Sequence, residues 1–181
     1  MRPVQIGVMG SVTAMHEKQR LHGLAEDVGR CIADQEAVYV FGAEGHDGHL
    51  PDVAYRGVRA QAGRALAITK GKDRNLFRDD DRTVIVPSGM VHGSGWGAII
   101  ALACDAMIVI GGGAGRLQEM AIAYQAGIPI VALRGTGGWA DKHADSPLDS
   151  RERAKVVGAS DPVEAVRLAC TLGMVHLEKA Q

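Results

Sequence analysis

Residues 108–133 read IVIGGGAGRLQEMAIAYQAGIPIVAL, and this stretch decides the fold. An apolar β-branched run ends in four glycines within five residues. An amphipathic segment carrying Glu119 follows, and a second apolar run begins after Gly127 and Pro129. This order predicts a strand, a glycine turn, a helix and a second strand. Glycines let backbone N–H groups approach a ligand, and a helix N-terminus carries partial positive charge, so the turn predicts a phosphate or other anion site.

The glycine turn matches neither of two familiar nucleotide-binding patterns. The dinucleotide fingerprint needs a third glycine where Arg116 stands, and the P-loop needs a Gly-Lys-Ser/Thr sequence that does not follow here. An ordinary strand-to-helix turn of an α/β protein remains the alternative. The density of glycines, together with Glu119 one helical turn further on, favours a binding site.

Length and charge narrow the class of protein. The chain has 181 residues, which predicts a single domain over residues 1–181 with a substantial core. A net charge of −1 and a pI near 6.6 predict no binding to nucleic acid or to an anionic membrane. The apolar stretches have the length of strands and are broken by glycine, so none is predicted to span a membrane.

The cysteines and the N-terminus indicate the compartment. Cys31, Cys104 and Cys170 stand singly in alanine-rich helical stretches, without C-x-x-C spacing. Such spacing predicts buried free thiols in a reducing environment. The opening MRPVQIGVMGS lacks the order of regions of a signal peptide, so we expect a cytoplasmic protein.

Short β-branched runs alternate with longer helical patterns along the chain. The predicted strands are Val4–Met9, Ala37–Phe41, Ala65–Thr69, Thr83–Pro87, Ala106–Ile110, Pro129–Leu133 and Lys155–Val157. The predicted helices are His16–Asp34, Asp52–Ala62, Trp96–Ala103, Gly115–Ala126 and Pro162–Leu172, with surface loops at Lys70–Arg82 and Asp141–Arg153. This alternation predicts an α/β fold, Rossmann-like and doubly wound, with a mostly parallel sheet of about seven strands and helices on both faces.

Five predicted strands end in glycine and small hydroxyl residues. In doubly wound sheets, ligands bind at the carboxyl ends of the strands, near the point where the strand order reverses. These ends therefore predict one ligand cleft at a single edge of the sheet. The predicted ligand-binding residues are Gly10, Ser11, Gly42, Gly111, Gly112, Gly113, Gly115, Arg116, Thr136 and Gly137.

The run from Gly112 to Glu119 resembles the P-G-G-x-G-T-x-x-E motif of the LOG-like proteins, often labelled possible lysine decarboxylase. The resemblance covers most of the chain, including the opening IGVMGS and the residues Cys104-Asp105-Ala106. The later GTGGWADK is more similar to an uncharacterised, DprA-related branch of the superfamily. No residue identifies a lysine that would hold pyridoxal phosphate, so the decarboxylase label finds no support.

The resemblance implies a nucleotide-binding Rossmann-like protein, usually a dimer. The characterised enzymes of the superfamily hydrolyse the N-glycosidic bond of nucleoside 5′-monophosphates. Other relatives, such as molybdenum-cofactor carrier proteins, bind ligands without known chemistry.

This chain departs from the LOG-like pattern at three positions. Gly111 replaces the proline of the motif and Arg116 replaces its threonine. In the enzymes an arginine before the fifth strand works with the motif glutamate, and Trp96, with Gly97 beside it, stands at that position here. The carboxylate of Glu119 is retained, whereas that arginine is not.

Glu119 and Arg116 each have alternative roles. Glu119 is the predicted catalytic residue, because a carboxylate near a bound ribose could stabilise an oxocarbenium-like state or orient water. The alternative is that Glu119 stabilises the N-terminus of its own helix. Arg116 either binds a phosphate, projects into solvent, or pairs with Glu119 three positions later.

The two tryptophans are candidate cleft aromatics. Trp96 could stack on a flat ligand, although a core or interface position is the favoured alternative. Trp139 follows glycines in a predicted loop, and a cleft or interface role is favoured for it. A metal site at His46-Asp47-Gly48-His49 is disfavoured, because no further cluster of Cys or His completes it, and no metal or cofactor is predicted.

The sequence therefore predicts a homodimer that binds a phosphorylated nucleotide or related small molecule. Glycines 112, 113 and 115 would hold the phosphate and Glu119 would face the sugar, as in a nucleoside 5′-monophosphate phosphoribohydrolase. The alternative is a carrier protein without turnover, of the kind that binds the molybdenum cofactor. Loss of the arginine at Trp96 favours the carrier, and retention of Glu119 favours the enzyme.

Overall fold

A parallel sheet of seven strands forms the centre of the computed structural model, which describes residues 2–12, 14–45, 48–76, 80–91, 95–152 and 154–179. The strands are β1 Gln5–Ser11, β2 Val38–Ala43, β3 Arg64–Thr69, β4 Thr83–Pro87, β5 Ala106–Gly111, β6 Ile130–Leu133 and β7 Val157–Ala159. The helices are α1 Lys18–Asp34, α2 Leu50–Ala60, α3 Trp96–Leu102, α4 Ala114–Gln125, α5 Gly138–His143 and α6 Pro162–Lys179, and a 3-10 turn at Met15–Glu17 precedes α1.

The strand order is β4-β3-β2-β1-β5-β6-β7, and every pair is parallel. The chain builds outward from β1 to β4, then crosses to the other side of β1 and continues with β5. The order therefore reverses between β1 and β5, where Ser11 pairs with Gly111. This topology confirms the predicted Rossmann-like fold and places the glycine turn at the point of reversal.

Two hydrophobic layers cover the two faces of the sheet. Helices α1, α2 and α6 pack on one face against strand residues such as Ile6, Phe41 and Ile108. Helices α3, α4 and α5 pack on the other face against Met9 and Val109. Successive residues of a strand point to opposite faces, so a central strand needs apolar residues throughout, as in the continuous run of β5.

The structure corrects several predicted bounds. Residues 138–143 form α5, part of which lies in the predicted loop Asp141–Arg153. The last strand is Val157–Ala159, and Lys155 makes only an isolated antiparallel bridge with Pro147. Helix α6 continues past Leu172 to Lys179, since Gly173 lies inside it. A Cβ at Gly173 would lie 2.7 Å from Val4 Cγ1, so this glycine allows close packing and does not end the helix.

The three cysteine thiols differ in burial. Cys104 is buried, whereas Cys31 and Cys170, both predicted to be buried, are partly exposed. Both cysteines, on α1 and α6, are partly buried and pack against the core. Among the described residues, no helix combines the length and the apolar character needed to cross a bilayer.

Helices α1 and α2 cross at two glycines. A Cβ built on Gly29 would lie 1.9 Å from the carbonyl oxygen of Ala54, and one on Gly57 would lie 2.0 Å from that of Glu26. Each helix therefore contacts the backbone of the other without a side chain between them. Because backbone cannot move aside as a flexible side chain can, both positions require glycine.

We expect Gly29→Ala to lower the free energy of unfolding by about 1–3 kcal/mol, since the methyl group forces the helices apart. Gly23→Ala is the matched control on the same helix, because a Cβ at Gly23 would meet no atom within 4 Å in the part of the chain that the structure describes. That control should gain about 0.5–1 kcal/mol from helix propensity. Urea unfolding of both variants measures the difference, and equal stability would contradict the close crossing.

Candidate anion-binding site

Three strand ends meet through hydrogen bonds at the point of reversal. The Gly112 N–H donates to the carbonyl oxygen of Ser11 at 3.2 Å, and the Gly113 N–H donates to Ser11 Oγ at 3.1 Å. The Trp139 N–H donates to the carbonyl oxygen of Gly112 at 3.1 Å. The loops that follow β1, β5 and β6 thus form one unit, which joins three of the five strand ends predicted to form the cleft.

Two glycines make this close approach possible. Gly111 has φ +61°, and a Cβ there would lie 2.8 Å from the carbonyl oxygen of Ser11. Gly138 has φ +58°, and a Cβ there would lie 2.4 Å from the carbonyl oxygen of Gly112. A side chain at either position would separate the loops. The motif's proline is absent at Gly111 because this conformation lies outside the range of φ that proline allows.

Several predicted ligand-binding residues have structural roles instead. Thr136 is 3% exposed, and its hydroxyl donates to the carbonyl oxygen of Leu133 while accepting the Gly111 N–H at 2.9 Å. Gly10 is packed against Leu50, and Gly42 is buried against Trp96. These three residues support the cleft from below and present no polar side-chain group to a ligand.

The β6–α5 loop has its own internal acceptor. One carboxylate oxygen of Asp141 accepts the Gly135 N–H at 2.6 Å, and the other accepts the Gly137 N–H at 2.8 Å. The backbone amide of Gly137, a predicted phosphate ligand, is therefore already used. The β5–α4 turn is therefore the stronger candidate for binding an anion.

The N-terminus of α4 presents the open part of the glycine turn. A Cβ built on Gly113 or Gly115 would meet no atom of the described residues within 4 Å, so that part of the chain leaves the space above this turn open. Among the described residues, the backbone N–H groups of Ala114 and Gly115 have no acceptor. We call residues 113–115 the amide cradle. Free N–H groups at the positive end of a helix are suited to binding a phosphate.

Arg116 and Glu119 lie beside the amide cradle and pair with each other. Arg116 Nη1 is 2.9 Å from Glu119 Oε2, and the two side chains are 13% and 4% exposed. The stem of Arg116 lies over Gly112, where a Cβ would come within 2.8 Å of Arg116 Cβ. Of the three alternatives for Arg116, the structure favours pairing with Glu119.

Glu119 is buried between α4 and α3. A Cβ built on Gly97 would lie 3.2 Å from Glu119 Oε1, so the carboxylate fits against a residue without a side chain. Helix α4 has Gly113 as its N-cap and no side-chain cap, so Glu119 does not cap it. Burial raises the pKa of Glu119 to about 7, against a smaller lowering by Arg116, and Glu44 raises it further.

The two tryptophans differ from the predicted cleft aromatics. Trp96 is 2% exposed, and its indole N–H donates to the carbonyl oxygen of Ile68 at 3.0 Å. Its ring belongs to the core, which was the favoured alternative, and offers no face for stacking on a ligand. Trp139 lies in the first turn of α5 instead of a loop, partly exposed and stacked on His143 at a ring distance of 5.5 Å.

A charged cluster at the ends of β2 and β3 is absent from the predicted site residues. Lys70 Nζ is 3.0 Å from Glu44 Oε1, and Asp52 Oδ2 is 3.2 Å from His49 Nδ1. The only sequence signal is that Glu44 and Lys70 come directly after the strands β2 and β3. His46 and Asp47, part of the disfavoured metal site, lie outside the described residues. Among the described residues, no group of three or more His, Cys, Asp or Glu is placed to hold a metal ion.

The fold and the amide cradle define a Rossmann-like protein with a candidate anion site at the reversal of strand order. Residues 3–166 match the SLOG cluster4 family, and the chain belongs to that family. An uncharacterized protein of Archaeoglobus fulgidus is 30% identical over 134 residues, covering 74% of this chain and 82% of the relative.

Solved structures with the same fold include carriers of a cofactor. TM1055, a structural-genomics target, has a TM-score of 0.76 at 24% identity and covers 91% of this chain and 97% of its own. The molybdenum cofactor carrier protein of Chlamydomonas reinhardtii has a TM-score of 0.74 at 25% identity, covering 94% and 98%. The molybdenum cofactor binding protein of Rippkaea orientalis has a TM-score of 0.73 at 24% identity, covering 93% and 96%.

The buried carboxyl of Glu119 predicts a pH-dependent stability. Its pKa rises from 4.5 to about 7 on folding. Between these values the unfolded chain loses the proton while the folded protein keeps it, so stability falls as pH rises. Relative to Glu119→Gln, the natural protein should lose about 3 kcal/mol of unfolding free energy from pH 4.5 to above pH 7.

Urea unfolding at several pH values measures this difference. Glu178→Gln, an exposed position on α6, is the control and should give a difference that does not vary with pH. A pH-independent difference for Glu119→Gln as well would show that folding leaves the pKa of Glu119 unchanged.

Proposed function

We propose that this protein binds a phosphate-bearing organic ligand of the molybdenum cofactor type and carries it without chemical change. The observation that carries the proposal is the amide cradle, in which the amides of Ala114 and Gly115 have no acceptor among the described residues. The described residues leave the space above Gly113 and Gly115 open, which provides room for the phosphate. The likeness to molybdenum cofactor carrier and binding proteins supports this ligand class.

The residues present fit the phosphate end of such a cofactor. The molybdenum cofactor is a pterin that carries a phosphate and binds molybdenum through its own sulfur atoms. The chain would therefore need to supply phosphate donors, not metal ligands. The amides of the amide cradle and the guanidinium of Arg116 are such donors, since both form charge-assisted hydrogen bonds with phosphate.

The second candidate is hydrolysis of a nucleoside 5′-monophosphate, for which Glu119 would be the catalytic residue. Its pKa of about 7 favours this function, because general acids and bases work best near the operating pH. Its 3% exposure and its ion pair with Arg116 oppose contact with a ribose. We therefore place the carrier first. The LOG-specific and DprA-related kinship, the homodimer and the single domain over residues 1–181 stay predictions.

A charge introduced at Gly115 tests the amide cradle. Gly115→Asp places a carboxylate beside the site and should weaken binding of inorganic phosphate at least tenfold, measured by isothermal titration calorimetry. An acid in the first helical turn stabilises a helix by about 0.3–1 kcal/mol, so the variant should stay folded. The matched control, Gly115→Asn, has nearly the same size without the charge and should bind more tightly than Gly115→Asp. Equal affinities for the two variants would place the anion elsewhere.

Purification from a host that makes the molybdenum cofactor separates the carrier from the enzyme. We expect molybdenum to co-purify with the natural protein and to be depleted in Gly115→Asp, as measured by elemental mass spectrometry. Incubation with nucleoside 5′-monophosphates should release no free base. Release of base that disappears in Glu119→Gln would instead establish the phosphoribohydrolase.

A further inference from the structure

We propose that Glu119 is a positioning residue, which holds Arg116 beside the amide cradle and gives it up to an incoming anion while taking up one proton. This inference rests on the proposed anion site and adds a proton to the binding reaction. It concerns the ion pair between two residues of α4 that stand one turn apart, at the edge of the cradle.

Within the described residues, the guanidinium of Arg116 has N–H groups that are not used by its contact with Glu119. Within the described residues its side chain makes the ion pair with Glu119 and donates no hydrogen bond to any other group. Its stem is fixed against Gly112, which belongs to the same glycine turn as the cradle. A guanidinium carries five N–H groups in a planar fork, so an anion held by the amides of Ala114 and Gly115 could share it.

The ion pair itself is close but poorly aligned. Arg116 Nη1 and Glu119 Oε2 are 2.9 Å apart, yet Glu119 Oε2 is buried without a hydrogen bond among the described residues. A buried charged oxygen that lacks a hydrogen bond is costly. The pair is therefore easily replaced by a better-aligned contact between Arg116 and a dianion.

The groups around Glu119 favour its protonated form once Arg116 is engaged elsewhere. Gly97 contributes no polar side chain from α3, and the nearby thiol of Cys104 is buried. Glu44, at the end of β2, adds a like charge that raises the pKa of Glu119. Lys70, the cation of that cluster, is paired with Glu44 and lies 4.8 Å from the ring centroid of Trp96.

Binding exchanges one partner of Arg116 for another and conserves charge. The anion forms hydrogen bonds with the guanidinium of Arg116, the ion pair with Glu119 breaks, and the carboxylate of Glu119 takes a proton from solvent. Arg116 keeps its charge throughout. The net reaction above neutral pH is the uptake of an anion and up to one proton.

The pH dependence of affinity follows by linkage. Arg116 is the group that holds the pKa of Glu119 down, so its engagement by a ligand raises that pKa above its value of about 7 in the free protein. Affinity for a dianion should therefore fall as pH rises above 7. From pH 6 to pH 8 the expected loss approaches about tenfold when Glu119 stays protonated in the complex over this range.

Sulfate is the probe, since it stays a dianion from pH 6 to pH 8 and contributes no proton of its own. Calorimetry in two buffers with different ionisation enthalpies gives the number of protons taken up. The natural protein should take up about half a proton at pH 7 and closer to one at pH 8. Glu119→Gln should take up none and bind sulfate about tenfold more tightly than the natural protein at pH 8.

Three further variants separate this role from a merely structural one. Arg116→Gln should bind sulfate weakly at both pH values and take up no proton. Glu44→Gln should keep the coupling but move its midpoint to lower pH, since a like charge is removed. Glu178→Gln, on the exposed side of α6, should behave as the natural protein does.

Two results would overturn the inference, and they differ in what else they affect. Sulfate binding that is weakened in Gly115→Asp but takes up no proton would leave the anion site standing and reject the role of Glu119. No sulfate binding to the natural protein at either pH would reject the anion site and this inference together.

Discussion

The rest of the site depends on the backbone contact between Ser11 and Gly111 and on the hydrogen bond from the Gly111 N–H to Thr136 Oγ1. These contacts join three strand ends that are far apart in sequence. They also fix where β5 ends, and therefore the direction in which α4 begins. Because α4 starts three residues after Gly111, its free amides face outward over the point of reversal. Without these contacts, the amide cradle would be an ordinary helix N-terminus.

The fold was predictable because its signals are local or periodic. Apolar β-branched runs separated by helical patterns indicate a parallel sheet with helices on both faces, and β4 has the bounds predicted for it. The glycine turn was equally predictable, because a cluster of glycines between a strand pattern and a helix pattern is typical of a turn. Its position at the reversal of strand order follows from the topology once β1 and β5 are neighbours.

The roles of individual side chains were less predictable, because they depend on contacts between distant segments. Thr136 stands in a glycine loop like a ligand-binding residue, yet its hydroxyl is used by Leu133 and Gly111. Gly42 looks like a cleft glycine, but glycine is required at this position because the Trp96 ring lies against it. The pairing of Glu44 with Lys70 joins the ends of two strands that only the folded sheet places side by side.

Asp141 limits the amount of negative charge that the cleft can accept. Its two carboxylate oxygens occupy the amides of Gly135 and Gly137, as a bound anion would. Two amides of the loop after β6 are thus already bonded to the protein's own carboxylate, whereas the amides of Ala114 and Gly115 in the amide cradle have no acceptor among the described residues. A ligand with a single terminal phosphate matches this arrangement. A diphosphate spanning both loops would bring its second charge against Asp141, so like-charge repulsion would disfavour such a ligand at the proposed site.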